Sequence, residues 1–126
     1  MGVAQNVILL VEDNPDNSNL AQKILTHAGY QVEVVEDGEQ ALNWCESQVP
    51  QLILMDISLP GIDGLAVTRT LREREAFASL PIIALTAHAL AGWDERCRGA
   101  GCDGYITKPI IPKEFIQQVE EALKAT

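Results

Sequence analysis

Apolar residues in this chain fall in short unbroken runs, and the stretches between them carry apolar positions at helical spacing. Residues 6–11, with Val7-Ile8-Leu9-Leu10-Val11, form a run of the kind a strand covered on both faces requires. Val32, Val34 and Val35 mark a second strand, residues 51–55 a third, and Ile82-Ile83-Ala84-Leu85 after Pro81 a fourth. Asp103 to Ile106 form a short fifth. The intervening stretches read as helices. Asn14 caps the first and Pro15 fits its first position, with Leu20, Ile24 and Leu25 on one face and Gly29 at its end. Asp37 and Gln40 resemble a capping box, opening a helix through Ala41, Leu42 and Cys45 that ends before Pro50. Asp63 caps a helix carrying Leu65 and Leu71. Residues 89–100 are predicted helical and stop at Gly101. Pro112 starts a last helix with Phe115, Ile116, Val119 and Leu123 on one face. Strict alternation of strand and helix implies right-handed crossovers, hence an α/β fold with a doubly wound five-stranded parallel sheet flanked by five helices.

The polar residues cluster where strands end. The first strand runs into Glu12-Asp13, the third into Asp56, the fourth into Thr86, and the fifth into Thr107-Lys108-Pro109. Glu36-Asp37 follows the second strand and is accounted for by the helix cap. In the flavodoxin-like order 2-1-3-4-5, strands one and three are neighbours at the point where such sheets bind ligands, so Glu12, Asp13 and Asp56 crowd together. Three carboxylates repel one another unless a cation joins them. Oxygen ligands suit a hard ion, and Mg²⁺ takes one or two carboxylates plus waters and a phosphate. Lys108 adds a positive charge and Thr86 a hydroxyl donor. This set fits phosphoryl transfer to a carboxylate nucleophile, with a metal and donors for the phosphoryl oxygens.

The bulk properties narrow the classes. A length of 126 residues predicts a single domain, and at this size roughly two thirds of the unfolded surface is buried. A net charge of −9 with only nine Lys and Arg argues against direct nucleic-acid binding. No apolar run reaches the roughly 20 residues that span a bilayer, and the amino terminus lacks the basic start of a signal peptide. A cytoplasmic location without membrane contact is expected. Cys45, Cys97 and Cys102 read as free thiols rather than a disulfide framework or a zinc site. Arg69, Arg72 and Arg74 read as a solvated helix face.

Four segments, taken in order, resemble the receiver domains of two-component and phosphorelay response regulators, which have the CheY-like fold. They are Val11-Glu12-Asp13-Asn14, Met55-Asp56-Ile57-Ser58-Leu59-Pro60-Gly61-Ile62-Asp63-Gly64, Ala84-Leu85-Thr86-Ala87 and Tyr105-Ile106-Thr107-Lys108-Pro109. The resemblance covers nearly the whole chain, so residues 1–126 are expected to be a single receiver domain. It implies that Asp56 accepts a phosphoryl group as an acyl phosphate. It also implies that Glu12, Asp13 and Asp56, with the backbone carbonyl of Ser58, hold Mg²⁺. Lys108 would pair with a phosphoryl oxygen, Thr86 would bond that oxygen on phosphorylation, and Tyr105 would swing between exposed and buried states. The Lys108–Pro109 bond would be cis. Ser58 and His88 would flank the hydrolytic water and tune dephosphorylation.

The implied function is a phosphorylation-controlled switch rather than an enzyme, with self-phosphorylation from a donor and slow autodephosphorylation as its only chemistry. The donor would be a histidine kinase or a histidine phosphotransfer protein, docking beside the first helix near Leu20 and the Pro109 loop. The output would pass to a downstream protein through the fourth helix, fifth strand and fifth helix. Two other classes remain. An aspartate-nucleophile phosphohydrolase would carry Asp-x-Asp-x-Thr after the first strand, where this chain has Asp13-Asn14-Pro15-Asp16-Asn17. A phosphorylation-independent binding module would not need Asp13, Asp56, Thr86 and Lys108 together. A stand-alone regulator and a receiver from a hybrid kinase both fit the sequence.

Overall fold

The computed structural model describes residues 6–57, 63–86 and 93–124. The elements are β1 (Val7–Val11), α1 (Pro15–His27), β2 (Gln31–Val35), α2 (Gly38–Ser47), β3 (Leu52–Asp56), α3 (Gly64–Arg72), a 3-10 turn (Glu75–Phe77), β4 (Ile82–Thr86), α4 (Trp93–Ala100), β5 (Gly104–Thr107) and α5 (Pro112–Lys124). All strand pairs are parallel, in the order β2-β1-β3-β4-β5. The predicted class and order are therefore the observed ones.

Side chains alternate across a strand, and this period of two divides the core into two layers. Leu9, Val11, Ile53, Met55, Ile82 and Ala84 face one way, onto Ala41 and Cys45 of α2, Leu65, Val67 and Leu71 of α3, and Cys97 and Ala100 of α4. Ile8, Leu10, Leu52, Leu54, Ile83, Leu85 and Ile106 face the other way, onto Ala21 and Leu25 of α1 and Phe115 and Val119 of α5. The three inner strands are covered on both faces, which is why their sequences are continuously apolar. Truncating a fully buried core residue such as Leu54 to Ala would cost about 2–5 kcal/mol. The edge strand β2 alternates between exposed and half-buried positions.

The helix caps follow the local sequence. Asn14 Oδ1 accepts from the backbone N–H of Asp16 (2.9 Å) and Asn17 (3.2 Å), and Asp63 Oδ1 accepts from Ala66 N–H at 2.9 Å. Asp37 Oδ1 accepts from Gln40 N–H at 2.8 Å, but Gln40 Oε1 accepts from Glu36 N–H rather than returning to the cap residue, so the reciprocal half of the box is displaced by one residue. Gly29 and Gly101 end α1 and α4 with φ of 100° and 110°, the left-handed region that side chains disfavour.

Three expectations are corrected. The third strand is Leu52–Asp56, because Asp56 itself pairs in register with Leu85; the fifth is Gly104–Thr107, shifted by one residue. The arginines of α3 are not one solvated face. Arg72 folds inward, and its side chain is only 16% exposed. Its Nε and Nη2 donate to Gly101 O (2.8 and 2.6 Å), and its Nη1 donates to Phe77 O (2.7 Å) and Leu80 O (2.6 Å). Nη2 also donates to Asp103 Oδ2 at 3.0 Å. All five guanidinium N–H groups are thereby used, which a solvated side chain would not need. Arg74 Nη1 donates to Leu42 O at 3.3 Å, midway along α2; Arg69 is exposed, as expected.

Candidate functional site

The carboxyl ends of β1 and β3 are adjacent, with Val11 level with Met55, so the next residues, Glu12 and Asp56, emerge side by side. Glu12 continues the alternation of Ile8 and Leu10, and Asp56 that of Leu52 and Leu54, so both carboxylates leave the sheet on the same side. Glu12 and Asp56 are 2% and 3% exposed, while Asp13 is exposed at the rim. Each of the three offers an oxygen, and these oxygens lie within 4.8 Å of one another. Glu12 is oriented from behind by Asn14, whose backbone N–H donates to Glu12 Oε2 at 3.2 Å.

Lys108 enters from the end of β5. Its Nζ lies 2.8 Å from Glu12 Oε1 and 3.1 Å from Asp56 Oδ2. The Asp56 contact has hydrogen-bond geometry. The Glu12 contact is a charge pair without that alignment, leaving Glu12 Oε1 a buried oxygen with no hydrogen-bond donor among the described residues. Burial pushes the Glu12 carboxyl above its ordinary value; Lys108 pulls it back and Asp56 adds to the rise. Burial alone would lower the Lys108 ammonium, but the Glu12 and Asp56 carboxylates outweigh it and the net shift is upward.

The backbone around Lys108 is fixed by a hydrogen bond from its N–H to Thr86 O at 2.7 Å and by a cis Lys108–Pro109 bond, as the resemblance implied. Thr86 ends β4 level with Thr107 and is fully buried. Tyr105 lies on β5 level with Ala84 and is 40% exposed. Ser58 and His88 lie outside the described residues. The fold thus gathers Glu12, Asp13, Asp56 and Lys108 into one cluster, with Thr86 and Tyr105 on the strands leading to it.

One contributor was not singled out from the sequence. Gly64 opens α3 with its backbone against the end of β3. A Cβ there would overlap the carbonyl oxygen of Asp56 and lie 2.8 Å from Ile57 Cα. The sequence signal is its place one residue after the Asp63 cap, where glycine is not otherwise required.

An acidic pocket with an unaligned buried carboxylate oxygen suits a hard cation, and the neighbouring ammonium suits an anion held between the two. Comparison with known proteins agrees with this chemistry. The response regulator receiver domain family matches residues 8–120. The polar-differentiation response regulator DivK of Brucella ovis is 40% identical over 116 residues, covering 92% of this chain and 94% of DivK. The receiver domain of sensor histidine kinase PA1611 from Pseudomonas aeruginosa, solved with a magnesium ion coordinated in its active site cleft, superposes with a TM-score of 0.88. It is 42% identical, covering 96% of this chain and 99% of that one. Vibrio cholerae CheY4, at 24% identity and a TM-score of 0.89 over 94% of this chain and 99% of its own, shows the shared fold. With the fold, the acidic rim and these relatives in agreement, the chain belongs to the response regulator receiver domain family, whose members are phosphorylation-controlled signalling switches.

Proposed function

We propose that Asp56 is the phosphoacceptor of this switch, and that residues 1–126 act as one receiver domain. The observation that carries the reading is the pairing of a buried Asp56 with Lys108 beside Glu12 and Asp13. One Asp56 carboxylate oxygen attacks the donor's phosphorus as the phosphorus–nitrogen bond to the donor histidine breaks. An acyl phosphate forms, and the donor imidazole leaves with the electron pair of that bond and takes up a proton. Lys108, already within reach of Asp56, pairs with a phosphoryl oxygen as negative charge moves outward.

Receiver domains bind Mg²⁺ at an acidic pocket, and the three clustered carboxylates with the unaligned Glu12 Oε1 fit that ion. Glu12, Asp13, Asp56 and the Ser58 carbonyl are the groups that would hold it. When bound, it supplies charge neutralisation among the carboxylates and the incoming phosphoryl oxygens. The donor is a histidine kinase or a histidine phosphotransfer protein. Thr86 and Tyr105 transmit the new charge to the face formed by α4, β5 and α5, which engages a downstream protein. Ser58 and His88 set the acyl-phosphate lifetime. The chemistry is one self-phosphorylation and a slow autodephosphorylation, with no turnover of phosphate esters. Among the described residues no helix is long and apolar enough to cross a membrane; the cytoplasm as its location is part of the proposal.

The test is intact-mass measurement after incubation with acetyl phosphate and Mg²⁺. One added phosphoryl group is expected on the native chain and none on Asp56→Ala. Equal incorporation in both would overturn the assignment. Rapid repeated hydrolysis of phosphate esters would instead revive a phosphohydrolase.

A further inference from the structure

The end of α4 brings two cysteines into one turn. Cys102 N–H donates to Cys97 O at 2.9 Å and Gly101 N–H to Arg98 O at 3.0 Å, with Gly101 at a φ of 110°. These nested bonds form the Schellman arrangement, in which the residue after the left-handed glycine folds back onto the residue that accepts its amide. The side chains that meet there are ordinarily apolar; here both carry sulfur. Cys97 and Cys102 enter the same apolar layer beneath α2, α3 and α4, at 2% and 5% exposure. Burial pushes the Cys102 thiol up, and the neighbouring Cys97 sulfur adds to the rise.

A disulfide needs its Cα atoms about 4.4–6.8 Å apart and its Cβ atoms turned toward each other. Two residues joined by a main-chain hydrogen bond, with both side chains entering one layer, meet these conditions. We propose that Cys97 and Cys102 form a reversible oxidation site, which hydrogen peroxide closes to an intrachain disulfide. One cysteine attacks a peroxide oxygen as its thiolate, the O–O bond breaks, and the leaving oxygen takes up a proton as water. The second thiolate attacks the sulfenic acid so formed. The S–S bond forms as the S–O bond breaks, and that oxygen leaves as a second water. Two thiol hydrogens and two electrons thus pass to one peroxide. A small thiol such as glutathione reverses the closure by exchange.

Burial decides between this and the other chemistry of paired thiols. A soft metal ion would require both sulfurs as thiolates inside an apolar layer, where a charge is disfavoured. Among the described residues, the only group of three or more side chains spaced for an ion is Glu12, Asp13 and Asp56, which includes neither cysteine. A disulfide is neutral and apolar, so the layer accepts it. Burial also sets the pace, because the peroxide must wait for the last turn of α4 to open. That helix has eight residues, and helices so short are held by packing rather than by their own stability. Cys45 shares the layer but sits on α2, outside this turn. The proposal is independent of the phosphoacceptor assignment, since no step involves Asp56.

The experiment incubates the reduced native chain with hydrogen peroxide for hours at pH 8, alkylates it in urea, and measures intact mass and tryptic peptides. Before oxidation all three cysteines should alkylate; afterwards Cys45 alone should do so. Cleavage after Arg96 and Arg98 separates the pair, so the disulfide should join peptide 97–98 to peptide 99–113 until dithiothreitol releases them. This readout needs no variant. Amide exchange at residues 98–102 should slow about tenfold on oxidation, because the staple removes open forms of the turn. Cys45→Ala and Asp56→Ala should form the same linkage at the native rate, and Cys102→Ala should form none. Persistence of all three alkylatable cysteines overturns the proposal, as does sulfinic acid on Cys97 or Cys102 without linkage. Linkage of either residue to Cys45 or to a second chain also overturns it.

Discussion

Lys108 Nζ stands 3.1 Å from Asp56 Oδ2 and 2.8 Å from Glu12 Oε1, so one ammonium pairs with both buried carboxylates of the site. Without it, the Glu12 and Asp56 carboxylates, 2% and 3% exposed, would face each other without the ammonium that pairs with both. Lys108→Ala should therefore destabilise the metal-free protein by about 3–5 kcal/mol, the cost of leaving a buried charge without its partner. Millimolar Mg²⁺ should recover more of that loss in the variant than it adds to the native protein. Urea unfolding with and without Mg²⁺ measures both. An equal Mg²⁺ effect on the two proteins would mean that ion and ammonium do not share the same carboxylates.

Gly64 touches no reacting atom, yet a methyl group there would push on the Asp56 carbonyl. Gly64→Ala should cost about 1–3 kcal/mol through overpacking and should slow phosphoryl uptake from acetyl phosphate, because the strand end carrying Asp56 must shift. Ala66→Gly, two residues into the same helix and away from β3, is the control. It should lower stability by the usual glycine penalty of about 1 kcal/mol and leave the uptake rate unchanged.

Arg72 joins the end of α3 to the Phe77 and Leu80 carbonyls and to the Gly101–Asp103 turn. Removing it takes the donor from the Phe77, Leu80 and Gly101 carbonyls, while the half-exposed Asp103 carboxylate keeps solvent and the Ile82 N–H at 2.9 Å. Arg72→Met should destabilise by about 1–3 kcal/mol, the cost of leaving buried carbonyls without a donor. Arg72→Lys should recover little, since an ammonium cannot match the planar five-donor fork. Amide hydrogen exchange should accelerate first at residues 100–104, while α1 stays protected.

Alkaline stability reports on buried groups. Burial pushes the Cys45 thiol up to about 12 and the Cys102 thiol up to about 11. Above the ordinary thiol value the unfolded chain loses these protons while the folded chain keeps them, so the folded state binds more protons and stability falls as pH rises. Lys108, also shifted upward, has the same sign: its contribution is complete below its ordinary value and is lost as pH rises through the folded one. Stability should decline from about pH 9 upward by about 1.4 kcal/mol per pH unit for each thiol in its window. Cys45→Ala should start lower but fall less steeply. Both thiols should resist iodoacetamide at pH 8 until urea unfolds the chain.

The strand ends made most of the acidic site legible in advance. Asp56, Glu12 and Asp13 follow apolar runs, and a run of that kind fixes where a buried strand stops regardless of what it pairs with. Lys108 and Thr86 were found in the same way. Caps were legible too, because Asn14, Asp37 and Asp63 bond to amides only two or three residues away. Gln40 shows the limit of such reasoning: its residue type was right for a capping box, but its partner was Glu36, set by the path of the chain leaving β2.

What the sequence by itself determined is the period of each element, the order of strand and helix, and the chemistry at each strand end, since all of these arise from neighbours along the chain. The tertiary structure decided the rest. Arg72 reads as one more surface arginine until a carbonyl 29 residues away comes within 2.8 Å. Lys23 and Lys113 line one open groove only because α1 and α5 pack on the same face of the sheet. Gly64 matters only because α3 starts against the end of β3. Hydrophobic period and capping act over one or two turns, whereas a buried guanidinium or a groove depends on which distant surfaces the sheet order sets side by side.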